Sequence, residues 1–100
     1  RRDRGLELIN AIDGLSCRKP EGAFYLFINC SGLLGRRTPE GKVIESDTDV
    51  VMYFLESTGV ALVAGTAYGL SPYMRMSIAT AVETIEEGCR RMAGAVAALR

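Results

Sequence analysis

The sequence predicts an α/β protein of the α+β type: a two-layer sandwich in which a small, mainly antiparallel three-stranded sheet is covered by helices on one face. Three observations carry this expectation. The apolar periodicity switches along the chain in the order helix, strand, helix, strand, strand, helix. The last two strands are joined by "GTAYGLSP", which is too short for a helical crossover and so predicts antiparallel pairing if they are neighbours. Val82, Ile85, Cys89, Met92, Val96 and Leu99 step by three and four residues, an apolar stripe along one face of the last helix. That stripe suits packing on the chain's own sheet, with a coiled-coil partner as the alternative.

The first element is a helix over residues 2–13, where Leu8, Ile12 and Leu15 recur at helical spacing with Ile9 beside them. Gly14 suits its C-terminus and Gly5 weakens its start. "CRKPEG" reads as a turn. "AFYLFIN" reads as a strand, with Phe24, Leu26 and Ile28 on one face and Tyr25, Phe27 and Asn29 on the other. Residues 31–46, rich in Gly, Ser, Pro and charge, predict a surface loop with freedom to move. A phosphate-cradling loop would need a G-x-x-x-x-G-K-[ST] spacing that this segment lacks.

"SDTDVVMYFLESTG" predicts the second helix, capped by Ser46 or Asp47 and ended by Gly59. Its expected buried face is Val50 or Val51 with Phe54 and Leu55. "VALVAG" is a short apolar strand. "YMRMSIA", residues 73–79, is the next, with Met74, Met76 and Ile78 on one face and Tyr73, Arg75 and Ser77 on the other. Thr80 and Glu83 form a T-x-x-E capping box that starts the last helix.

Composition bounds the function. One hundred residues suit one domain, and 48% apolar with 24% charged residues is ordinary for a globular protein. Twelve basic residues balance twelve acidic ones, so there is no electrostatic footprint for nucleic acid or an anionic membrane. The pairs Arg1-Arg2, Arg36-Arg37 and Arg90-Arg91 read as solvated surface. No apolar run approaches a membrane span, and no signal peptide is visible. Cys17, Cys30 and Cys89 fit neither a disulfide framework nor a zinc site, which points to reduced thiols in a cytoplasmic protein. Without histidine, His-ligated metals and Ser-His or Cys-His dyads are excluded. The abrupt opening "RRDR", with no Met, suits a piece of a longer chain or an expression boundary.

Arg75 is the anomaly of the last strand. Alternation alone favours a charge on a solvated sheet face. The functional alternative is a carboxylate or phosphate clamp, because a guanidinium offers a rigid fork that matches a carboxylate with two parallel hydrogen bonds. Packed neighbours would position the side chain, and the small-residue loop "GTAYG" lets backbone approach a ligand.

"RRD" at residues 1–3, "KPEGAFYLF" at 19–27, "FLESTGVALVAGTAYG" at 54–69 and "YMRMSIA" at 73–79 together resemble the C-terminal small domain of class I aminotransferases, the aspartate aminotransferase family of pyridoxal-phosphate enzymes. The resemblance covers almost the whole chain, so residues 1–100 read as one domain, a C-terminal fragment of a larger enzyme. It implies that Arg75, in the family's "F-R-[IL]-S-[YF]-[AS]" block, binds the substrate α-carboxylate. Ser77 and Ala79 keep that block, while Met74 and Ile78 depart from its usual aromatics. The family's "V-x-P-G-x-x-F-G" block stands here as "VAGTAYG", with Ala64 for proline and Tyr68 for phenylalanine. Tyr68, Gly69 and Gly22 are then expected beside the substrate.

The resemblance also implies pyridoxal 5'-phosphate in the parent, whose Schiff-base lysine, pyridine-nitrogen partner and phosphate cup belong to a large domain outside this segment. Lys19 and Lys42 lie in turn-like segments outside any catalytic block, so this chain alone is expected neither to bind the cofactor covalently nor to transaminate. The implied partners are an amino acid and a 2-oxo acid, the large domain, and a second subunit of a cytoplasmic homodimer. A free-standing ligand- or protein-binding module is the alternative from another class, and lyases or synthases share the fold.

Overall fold

Alternating burial along two strands organises the molecule. The computed structural model describes residues 2–18 and 24–100, with the backbone alone at Arg2. Strands β1 (Ser16–Cys17), β2 (Tyr25–Asn29), β3 (Val63–Ala64) and β4 (Tyr73–Ser77) form one antiparallel sheet in the order β1-β2-β4-β3. Helices α1 (Arg2–Asn10), α2 (Asp47–Thr58) and α3 (Val82–Ala97) join it in a single apolar core. Leu26 and Ile28 of β2 meet Met76 and Met74 of β4 in register, and all four are buried. Each such side chain contributes roughly 1.5–3 kcal/mol on burial. The intervening residues, Tyr25 and Phe27, stay exposed on the other face.

The two-layer architecture is as expected, but the sheet has four strands rather than three. The segment read as a turn begins with β1, which pairs Ser16 with Asn29 and Cys17 with Ile28. Two residues are too few to show a period of two, so β1 left no trace in the pattern. Its outer edge is closed by Asn10, the last residue of α1: the Asn10 amide donates to the Cys17 carbonyl and accepts from the Cys17 N–H, both at 2.9 Å. The strand expected over "VALVAG" is reduced to Val63–Ala64, since only those residues reach β4. β2 begins at Tyr25, so Phe24 is exposed rather than sharing the face of Leu26.

Helix α2 starts as read, with the Ser46 hydroxyl accepting from Asp49 N–H at 3.3 Å and the Asp49 carboxylate accepting from Glu45 N–H at 2.9 Å. It ends at Gly59 in the left-handed region, φ +75°. Its inward face carries Val50, Tyr53 and Phe54, whereas Leu55 is exposed. The Tyr53 hydroxyl donates to the Ala95 carbonyl at 2.6 Å, which ties α2 to α3. The T-x-x-E box does not start α3. Ala81 occupies the N-cap without a side-chain bond, one residue past the position the box requires of Thr80. The apolar stripe of α3 holds from Ile85 onward: Ile85, Cys89, Met92, Val96 and, just beyond the helix, Leu99 are buried in the chain's own core, whereas Val82 in the first turn is only partly buried.

Residues 31–46 are less free than a surface loop. Leu33 and Ile44 are fully buried, Arg37 bridges Val43, and Arg37 exchanges two backbone hydrogen bonds of 2.9 Å with Arg100. Arg36 is not simply solvated either. Its guanidinium donates to the carbonyls of Val96 and Leu99 at 3.4 and 3.1 Å, placing a cation at the negative end of α3.

Gly65 and Gly94 give a contrasting test. A Cβ on Gly65 would lie 2.3 Å from the Leu70 carbonyl oxygen and 2.5 Å from that of Tyr73, whereas one on helical Gly94 meets nothing within 4 Å. Gly65→Ala is expected to cost about 1–3 kcal/mol in urea unfolding, because backbone must shift. Gly94→Ala is expected to stabilise by roughly 0.5–1 kcal/mol.

Candidate functional site

Arg75 occupies the middle of β4, opposite Phe27 of β2 on one side and Val63 of β3 on the other. Its chain neighbours Met74 and Met76 are anchored in the core, so its side chain leaves on the outer face. There the guanidinium carbon lies 4.4 Å from the ring centroid of Tyr25 and 5.0 Å from that of Tyr68. Each contact is a cation–π interaction worth about 0.5–1 kcal/mol at an exposed position, little for stability but enough to favour one orientation. Among the described residues no Asp or Glu forms an ion pair with Arg75. A guanidinium flanked by two rings and without an acidic partner among the described residues offers the planar fork that suits a carboxylate.

Tyr68 reaches Arg75 from a 3₁₀ turn over Gly65–Tyr68. The turn is closed by Leu70 N–H donating to the Gly65 carbonyl at 2.8 Å and Gly69 N–H to the Thr66 carbonyl at 3.2 Å. Gly69 ends it with φ +71°, so its contribution is conformational. Of the residues expected from the sequence, Arg75 and Tyr68 are thus brought together, Gly69 shapes the turn, and Gly22 lies outside the described residues.

Two residues were not singled out from the sequence. Tyr25 shares the face of Arg75, a fact that alternation in both strands could have supplied once β2 and β4 were paired. Asp47, read as a helix cap, is instead fully buried: its carboxylate accepts from the Thr66 N–H at 3.2 Å and from the Thr66 hydroxyl. Asp47 also acts on Cys30. Burial and then the Asp47 charge push the Cys30 thiol up to about 12.

A cleft of about 560 Å³ lies elsewhere, between α3 and the segment after α2, lined by Val60, Met76, Thr84, Gly88 and Arg91 among others. It includes neither Arg75 nor the flanking tyrosines, and Arg91 there is engaged by Glu87 and the Thr58 carbonyl. The cleft is thus separate from the outer sheet face that carries Arg75. Among the described residues no group of three or more His, Cys, Asp or Glu could hold a metal ion.

Residues 1–92 match the family model for aminotransferase class I and II. The chain is 53% identical over 95 residues to an aspartate aminotransferase of Rhizobium meliloti (strain 1021), covering 95% of this chain and 23% of that protein. The crystal structure of the Rhizobium meliloti aspartate aminotransferase superposes with a TM-score of 0.97 at 50% identity, over 99% of this chain and 25% of that one. A PLP-bound structure from Clostridium difficile 630 matches with a TM-score of 0.76 at 28% identity, over 95% of this chain and 23% of that one. The chain thus spans 23–25% of the length of these relatives.

Burial likewise pushes the Cys89 thiol up to about 11. Above the ordinary thiol value of 9.0 the unfolded chain loses protons that the folded chain keeps. Stability is therefore expected to be insensitive to these groups below that value and to fall as pH rises from 9 toward 12. Urea titrations at stepped pH, repeated on Cys30→Ala, check this: the variant should show a shallower alkaline decline.

Proposed function

Because the chain belongs to the class I and II aminotransferases, we propose that it is the C-terminal, substrate-closing small domain of such an enzyme and that Arg75 receives the α-carboxylate of the amino-acid substrate. The observation that carries the second part is the state of Arg75: a guanidinium flanked by Tyr25 and Tyr68 with no acidic partner among the described residues. The reaction in this reading is amino-group transfer from an amino acid to a 2-oxo acid. The parent is a cytoplasmic homodimer, and its large domain covers the outer sheet face. The span of 23–25% of the relatives' length favours a part of a larger enzyme over a free-standing module.

The contribution of this chain is binding and orientation. The substrate carboxylate accepts two parallel charge-assisted hydrogen bonds from Arg75, which fixes the plane of the carboxylate and hence the direction of the Cα–H bond. The flanking rings limit hydration of the guanidinium faces and leave its N–H edge to the substrate.

Class I aminotransferases use pyridoxal 5'-phosphate, which supplies the electron sink at the substrate Cα. The described residues do not fit that group. Their one lysine, Lys42, stands on the loop before α2 with Nζ 3.6 Å from an Asp49 carboxylate oxygen, and Lys19 lies outside them. No step through the cofactor is assigned to this chain, and by itself it is expected to be inactive.

In the full-length enzyme, Arg75→Leu is expected to lower kcat/KM by about 2–5 kcal/mol of transition-state stabilisation, with a marked rise in KM. Arg75→Lys should recover only part of the loss, since an ammonium cannot offer the fork. Steady-state kinetics with an amino acid and a 2-oxo acid read both variants. Unchanged kinetics in Arg75→Leu overturn the assignment.

A further inference from the structure

We propose that Asp47 is a positioning residue for the carboxylate site: by gripping Thr66 it fixes the 65–69 turn against α2, and through that turn it fixes Tyr68 beside Arg75. This rests on the carboxylate reading of Arg75 and adds the element that orders it.

A fully buried carboxylate is costly unless its oxygens are satisfied. The start of α2 does not require this one. Ser46 already caps the helix, and Asp49 completes the cap from the other direction. Asp47 directs both oxygens to a single residue 19 positions further on, one to the Thr66 N–H and one to its hydroxyl. The first turn of α2 adds a favourable dipole for the charge.

Thr66 stands two residues before Tyr68 within the 3₁₀ turn. The turn's own hydrogen bonds hold its shape, and Gly65 is wedged against the Leu70 and Tyr73 carbonyls, so it shifts as a unit. Asp47 supplies the attachment of that unit to α2. The Tyr68 ring is half exposed and is held over the Arg75 guanidinium at 5.0 Å. A ring with so little packing takes its position from the backbone beneath it. Loss of the grip therefore reaches Arg75 as a disordered aromatic wall.

The test uses the full-length enzyme and propionate, a carboxylate without an amino group, titrated by calorimetry. Thr66→Val removes the hydroxyl donor from an exposed residue and keeps its shape. It is expected to weaken propionate about 3- to 10-fold and to raise KM for the amino acid, with kcat at saturation within about twofold. Thr66→Ser should restore both. In a Tyr68→Leu background Thr66→Val should add nothing, because the two act through one path. Asp47→Ala should exceed Thr66→Val in the same direction; if it does not fold, Thr66→Val decides. Unchanged propionate affinity in Thr66→Val, or full additivity with Tyr68→Leu, overturns the proposal. Arg75→Leu separates the two levels. If it abolishes propionate binding while Thr66→Val has no effect, the role of Asp47 alone falls. If Arg75→Leu also leaves propionate bound, the carboxylate reading falls with it.

Discussion

The antiparallel ladder between β2 and β4 constrains everything else. It runs from Tyr25 opposite Ser77 to Asn29 opposite Tyr73, with Phe27 opposite Arg75 at its centre. A slip of either strand by one residue would turn its core residues, Leu26 and Ile28 or Met74 and Met76, toward solvent. A slip of β4 would also drive a guanidinium into the core, at a cost of several kcal/mol. One register therefore satisfies both faces. The hydrophobic side selects it, and the polar side receives its geometry as a result. Arg75 is aimed by the methionines on either side of it.

That logic explains what could be read from the sequence. "YMRMS" and "YLFIN" alternate with a period of two, so the outward direction of Arg75 and the inward direction of Leu26 follow from local pattern. The stripe on α3 is equally local. The features that escaped depend on contacts distant in sequence. β1 exists because Asn29 and Ile28 offer it a partner. Leu33 and Ile44 belong to the core although the polar residues around them suggest a loop. Asp47 looks like any acidic residue in a first helical turn until Thr66 is folded beside it. Thr80 and Glu83 show the converse, a good local motif that the helix start bypasses by one residue. The proposed carboxylate role of Arg75 rests chiefly on family resemblance, since alternation alone favours a solvated charge.

The outer face combines the Arg75 guanidinium with exposed Tyr25, Phe27, Val63 and Tyr68. Apolar surface gathered around a charge is poorly suited to bulk water. It lowers the local dielectric around any anion that docks there, which strengthens the ion pair relative to one in open solvent. The aromatic surface and the guanidinium thus act together: one makes the charge more effective, the other gives the patch its chemical preference.

The Asn10 side chain on β1 carries a consequence of a different kind. An edge strand normally shows free N–H and C=O groups on which another chain can add a strand. At Cys17 both outward groups are already taken by an amide that copies the peptide's own donor and acceptor. The opposite edge, β3, offers only two residues. Among the described residues, strand addition is hindered at Cys17 by a side-chain imitation of backbone and limited at β3 by length. The two margins of this small sheet thus limit strand addition by different means.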